Sequence, residues 1–332
     1  MPDAACSTSR WSRSSKSREH PKRIRARFFG GWDYKTGDDL GDNFGKTGYD
    51  KGVPMGRDLA ARPDKAKAPT FLVQAEKDAD AANLDRIQII KGWSKHGKSF
   101  EKIYNVAWSR GRTPDAKTGR LPPVGNTVNV AEASYANTIG TDKLSAVWQD
   151  PEFDPTLRSF YYVRVLEIPK PRWSTFDARK LGITAPDPAS VQERAWTSPI
   201  WYTPTDADLA KGREKAITVT GLANDKAEAL STDELKQLLV GKTVRIKNLV
   251  SGAEYDAAYS EDGLRTLTAT AGFGSAHGQG AATNPYFITD GKLSSRLEDG
   301  SQFSSRLYRH GGHYLAARDD EAGFVNYEFF PR

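Results

Sequence analysis

Residues 160–168, FYYVRVLEI, alternate with period two. Phe160, Tyr162, Arg164, Leu166 and Ile168 fall on one side of an extended chain, and Tyr161, Val163, Val165 and Glu167 on the other. Aromatic and β-branched residues suit a pleated surface, and apolar character on both sides predicts a central strand. Pro169 and Pro171 end it, because neither can donate to a ladder. The same reading predicts strands at Ile24–Phe29, Thr70–Glu76, Leu84–Trp93 and Phe100–Ser109, with LSAVW adding another within 137–148. The two strands flanking Ser94–Ser99 (SKHGKS) read as a hairpin. Residues 35–68 and 110–129, rich in Gly, Pro and charge, read as loops, and DPEFDP (Asp150–Pro155) as a turn feeding the central strand. Many short strands separated by turn signals predict an antiparallel sandwich.

Beyond Pro204 the pattern changes. Residues 205–217 are charged and read as a linker or short helix. STDELKQLLVG (Ser231–Gly241) predicts a helix, with Ser231 as cap, Glu234 as its capping-box partner and Leu235, Leu238 and Leu239 on one face. The remainder reads as short strands with Ser251-Gly252 and Asp262-Gly263 turns. The expected fold class is therefore mainly β. An antiparallel β-sandwich over residues 24–204 is followed by a small α+β or partial-barrel module over 218–332.

Composition alters this picture at one end. The chain of 332 residues carries a net charge of +6, yet residues 1–27 hold eight Lys/Arg and two acids and so account for all of it. The body is neutral overall, which argues against nucleic acid as a partner. Residues 1–23, Ser/Arg-rich and without periodicity, read as a disordered basic tail lacking the apolar stretch of a signal peptide. The single cysteine, Cys6, excludes internal disulfides and cysteine metal sites, and no apolar run has the length of a membrane span.

Chemistry-bearing motifs are sparse. RHGGHY (Arg309–Tyr314) offers His310 and His313 as metal-ligand candidates, two where a site needs three or four; Gly-Gly between them reads first as a hairpin turn. The glycine-rich stretch 271–281, which includes His277, lacks the Gly-Lys-Ser/Thr ending of a phosphate loop and reads as a connector. No GxSxG is present. The densest functional-looking cluster lies in 172–202. Arg172, Glu193 and Arg194 are the catalytic candidates, the arginines suiting a phosphate or carboxylate, and Trp173, Trp196, Trp201 and Tyr202 are the ligand-binding candidates. The alternative for these aromatics is closure of the sandwich.

Six stretches in order also carry a resemblance. RARFFGGWDY (Arg25–Tyr34), GYDKGVPMGRDL (Gly48–Leu59), LDRIQIIKGW, EKIYNVAWS (Glu101–Ser109), PEFDPTLRSFYYVRVLEIPKPRWSTFDA and QERAWTSPIWYTP (Gln192–Pro204) resemble the C-terminal part of the bacterial domain-of-unknown-function 3604 family. Full-length relatives look periplasmic or secreted. Their N-terminal half resembles a PHP-type metal-dependent phosphoesterase opened by a His/Asp-rich motif, which this sequence lacks. The resemblance implies a truncated member without the metal-holding half. It implies no cofactor in this chain and a divalent metal in intact relatives. The expected role is a non-catalytic accessory or binding region of a metal-dependent hydrolase, with a catalytic PHP-like half or a small-molecule ligand as partner. The alternative is a self-sufficient phosphoesterase-like hydrolase using the Arg172/Glu193/Arg194 surface.

Overall fold

The structure, a computed structural model, describes residues 23–331 apart from 42, 65, 110, 117–118, 215, 272–281 and 298. Cys6, the basic tail before Arg23 and nearly all of the glycine-rich stretch with His277 lie outside the described residues. The chain divides into two compact units, with Ser94–Ser99 grouping with the second.

In the first unit, β1 (Arg25–Gly31), α1 (Phe44–Lys51), β2 (Gly52–Pro54) and β3 (Thr70–Glu76) precede β4 (Leu84–Lys95) and β5 (Lys98–Trp108). Next come β6 (Lys143–Gln149), β7 (Ser159–Glu167), β8 (Lys170–Pro171), α2 (Trp173–Leu181), β9 (Ser190–Val191), β10 (Arg194–Trp196) and β11 (Ile200–Tyr202). One sheet runs β2-β1-β3-β6. The other runs β10-β7-β4-β5, with β11 also on β7, so β7 is central as its two apolar faces predict. The inner faces share one core: Phe28, Phe71 and Val73 from the first sheet meet Ile87, Ile89, Tyr161, Val163 and Val165 from the second. Phe71 and Tyr161 bring the sheets together, their ring centroids 4.4 Å apart. The result is an antiparallel sandwich.

One departure from the sequence pattern has a tertiary cause. Residues 44–51 form α1, although Gly45, Gly48 and Thr47 are poor helix formers. Tertiary contacts hold it: Phe44 packs edge-on against Phe29 with centroids 5.9 Å apart, and the Tyr34 hydroxyl donates to the Gly48 carbonyl at 2.6 Å. Residues 206–214, within the stretch read as a linker or short helix, form α3 (Asp206–Glu214).

The second unit contains α4 (Val219–Asn224), β12 (Glu228–Ala229) and α5 (Thr232–Leu239), then β13 (Lys242–Asn248), β14 (Glu254–Tyr259), β15 (Leu264–Ala271) and β16 (Ala282–Thr289). It ends with β17 (Lys292–Arg296), β18 (Gln302–His310), β19 (His313–Arg318) and β20 (Val325–Pro331). From β13 to β20 each strand pairs antiparallel with the next, and β20 returns to β13 with Ile246 opposite Phe329. The module is thus a closed eight-stranded barrel, tighter than the partial barrel expected. Closure removes free sheet edges. Leu235, Leu238 and Leu239 of α5 join the barrel's core with Val244, Ile246, Ile288 and Leu307. The capping box is present: Ser231 Oγ accepts from Glu234 N at 3.3 Å, and Glu234 Oε2 accepts from Ser231 N at 2.9 Å. Ser231→Ala is expected to destabilise the second unit by about 1 kcal/mol, read as a lower urea midpoint with unchanged slope.

Candidate functional site

The outer face of the β10/β11-β7-β4-β5 sheet gathers large side chains that the core does not use. Register sets them in rows. Trp201 lies opposite Phe160, and Phe160 opposite Gly92. One step along, Tyr162 lies opposite Ile90. The next row is Trp196, Arg164 and Gln88, and the last is Arg194, Leu166 and Arg86. An apolar stripe thus leads into a group of three arginines.

The aromatic part is continuous. Trp201 and Phe160 have centroids 5.1 Å apart, and Phe160 and Tyr162 are stacked at 6.3 Å. Trp201 is 47% and Trp196 42% exposed. Gly92 is required here, because a Cβ on it would stand 2.3 Å from the Phe160 ring, well inside van der Waals contact. With only hydrogen at that position, the end of the ring rests over Gly92.

The polar part is a ladder. Arg164 Nε donates to Gln88 Oε1 at 2.9 Å, Gln88 Nε2 donates to Asn105 Oδ1 at 2.8 Å, and Asn105 Nδ2 reaches the Gly119 carbonyl at 3.3 Å. This fixes the Arg164 stem through its Nε. Burial lowers the Arg164 pKa from its ordinary value, and Arg194 and Arg86 lower it further, against opposing effects of Tyr162 and Glu101. The three arginines therefore crowd one another, and an added anion would relieve that repulsion. Arg86 lies 3.3 Å from Asp85, but that carboxylate is buried and also held by Arg112 at 2.7 Å.

The residues singled out in the sequence divide between this face and other places. Trp196, Trp201 and Arg194 belong to it. Tyr202 does not: as the inward neighbour of Trp201 on β11 it is 2% exposed, its hydroxyl donating to the Pro155 carbonyl at 3.0 Å, so it serves the core. Trp173 is 68% exposed on α2, beside exposed Phe176. Arg172 is the residue preceding that helix, its backbone N–H bonded to the Ala189 carbonyl. Glu193 is ion-paired with Lys170 at 2.9 Å, and Lys170 also meets Glu167 at 3.0 Å. Burial opposes charge on Lys170, but the two carboxylates outweigh it and raise its pKa. Glu193 is thereby committed to a lysine.

His310 and His313 face each other across the β18–β19 hairpin, whose Gly311 and Gly312 take the positive φ values of 55° and 81° that the tight turn demands. They turn to different carboxylates, His313 to Glu328 at 2.7 Å and His310 toward Asp225 at 3.9 Å. Among the described residues, no group of three or more His, Cys, Asp or Glu is placed to hold a metal ion. No described helix is long and apolar enough to cross a membrane.

Phe160, Tyr162, Gln88 and Gly92 complete the face but were legible only as strand residues. Their signal was the alternation itself, since large aromatics occupied both sides of β7 and only one side can face the sandwich core.

No curated protein and no solved structure matches the chain. The profile of the family described as "Protein of unknown function (DUF3604)" matches residues 20–204, a span that contains every strand of the aromatic face. With more than half of its length matched, the chain belongs to the DUF3604 family.

Proposed function

We propose that the first unit is a non-catalytic binding region, and that its ligand lies along the outer face of the β10/β11-β7-β4-β5 sheet. The observation that carries this reading is the run of ring contacts from Trp201 through Phe160 to Tyr162, with the Trp196–Arg164 row next along the same face. A stripe of aromatics with exposed tryptophans and half-buried Phe160 and Tyr162 marks an interaction site rather than ordinary surface. A row of aromatic side chains suits an extended ligand made of rings, and guanidinium groups at one end suit carboxylate or sulfate. An acidic oligosaccharide satisfies both requirements. The neutral body disfavours nucleic acid, which binds through a broad excess of positive charge. The engagement of Glu193 with Lys170 also favours binding over general-base chemistry at that surface.

Native gels cast with polygalacturonate test this. The full chain is expected to be retarded, and Trp201→Ala and Arg164→Met are each expected to weaken binding by about tenfold, which is about 1.4 kcal/mol. Both variants should keep the wild-type circular dichroism spectrum. Unretarded migration in polygalacturonate, in heparin and in neutral xylan alike would sink the proposal.

A further inference from the structure

The barrel of the second unit encloses an arginine, Arg265, that forms no ion pair with an acid among the described residues. Tyr259 of β14 and Asn284 of β16 flank Arg265 of β15 in register, and all three are buried, Arg265 with 5% exposure. Further round the wall, Tyr286 pairs with Ser295 of β17, and Ser295 pairs with Phe303 of β18. The Arg265 guanidinium lies 5.5 Å from the Phe303 ring centroid, and Arg318 lies 3.9 Å from the same ring. The two arginines differ in one respect. Arg318 is held by Asp320 at 2.7 Å and 2.9 Å and approaches Glu321 at 3.5 Å. Arg265 has no carboxylate partner among the described residues.

The hydrogen bonding shows the same deficit. Arg265 Nε, the Tyr259 hydroxyl and the Ser295 hydroxyl are all buried without a partner. Each can donate. Burial raises the Tyr259 pKa, and the Arg265 guanidinium, which leans on the phenol oxygen, lowers it in part. Arg265 Nε and the Tyr259 and Ser295 O–H groups still lack an acceptor among the described residues. Buried donors are nearly always satisfied in folded proteins, and an arginine cannot shed its proton to escape the cost of burial. Burial pushes the Tyr255 hydroxyl up to about 12, with Arg265 and Arg318 pulling against it and Glu321 adding to it, which places Tyr255 in the same field. The structure thus combines a buried cation, a set of unanswered donors and aromatic side chains in one small barrel, a fold whose lumen can hold a single small ligand.

We propose that the barrel lumen binds a small oxyanion, a carboxylate or phosphate group, whose oxygens accept from Arg265, Tyr259 and Ser295 and whose remaining atoms rest against Phe303. The site lies wholly in the second unit and is independent of the aromatic face of the first.

Calorimetric titration and thermal unfolding of the full chain, with benzoate and with inorganic phosphate as probes at constant ionic strength, test the proposal. At least one probe is expected to bind and to raise the melting temperature of the second unit. Benzoate acting alone identifies a carboxylate site, and phosphate acting alone a phosphate site. Arg265→Met is expected to abolish the shift while melting no lower than wild type without probe, because it removes an unpaired buried charge. Tyr259→Phe and Ser295→Ala, which keep the shape of the wall, are each expected to weaken binding several-fold. These two variants decide the matter should Arg265→Met not fold. Indifference of the wild type to both probes, or equal shifts in wild type and variants, overturns the site.

Discussion

Asp150→Ala is expected to destabilise the first unit by about 3–5 kcal/mol, the range for removing one partner of a buried ion pair. Asp150 is almost fully buried in the sandwich and lies 2.6 Å from Lys91 Nζ. Its carboxylate accepts from the Tyr161 hydroxyl at 2.7 Å and from Glu152 N at 2.9 Å, while Lys91 donates to the Glu152 carbonyl at 2.7 Å. Deleting the carboxylate strands an ammonium between apolar sheets. It also releases the turn that aims β7 and leaves the Tyr161 hydroxyl with only a distant serine. The double variant Lys91→Met/Asp150→Leu should recover most of the loss, since a packed apolar pair needs no desolvation of charge. Urea unfolding of Lys91→Met, Asp150→Leu and the double variant closes this cycle. A loss below about 1 kcal/mol in Asp150→Ala would place the pair among surface-like interactions and contradict its burial.

Phe71→Ala is expected to cost about 3–5 kcal/mol, the range for emptying a large aromatic site in a core. Phe71 has no exposed surface and contacts Phe28, Trp148 and Tyr161 at centroid distances of 5.4, 5.8 and 4.4 Å. It is the ring on which the two sheets meet. The neighbours are themselves rings fixed on strands, so collapse into the cavity is limited. Denaturant unfolding should show a lower midpoint at constant slope. Tyr161 is the inward neighbour of Phe160 and Tyr162, so the variant also separates stability from binding. The outer face should retain its ligand under conditions where the sandwich is still folded.

How far the sequence reveals this architecture depends on the range of the interaction. Strand β7 was visible because its period-two pattern is local, and α5 because Ser231, Glu234 and three leucines carry their signal within nine residues. The sheet order was not visible, because the Trp196–Arg164–Gln88 row exists only once three distant segments are in register. Hence Trp196 and Trp201 stood out by type and density, whereas Phe160 and Tyr162 read as strand filling, and Tyr202 could not be told from its exposed neighbours until β11 showed which way each side chain turns. Helix α1 was hidden by glycines whose weak propensity is overruled by Phe29, Tyr34 and Phe44. Barrel closure was hidden for the same reason as the sheet order: Ile246 and Phe329 are far apart in the chain. Arg265, one arginine among many in the sequence, acquires meaning only from its burial without an ion-pair partner among the described residues.

The closing strand of the barrel is also the last to be made. Because β13 and β19 both pair with Val325–Pro331, each keeps an open edge on the ribosome until that segment has cleared the exit tunnel. The sandwich, complete by residue 202, can fold long before then. The second unit must wait as an unfinished sheet with two adhesive margins. Synthesis therefore imposes a sequence on maturation, and the interval before the final strand emerges is when neighbouring nascent chains could exchange strands.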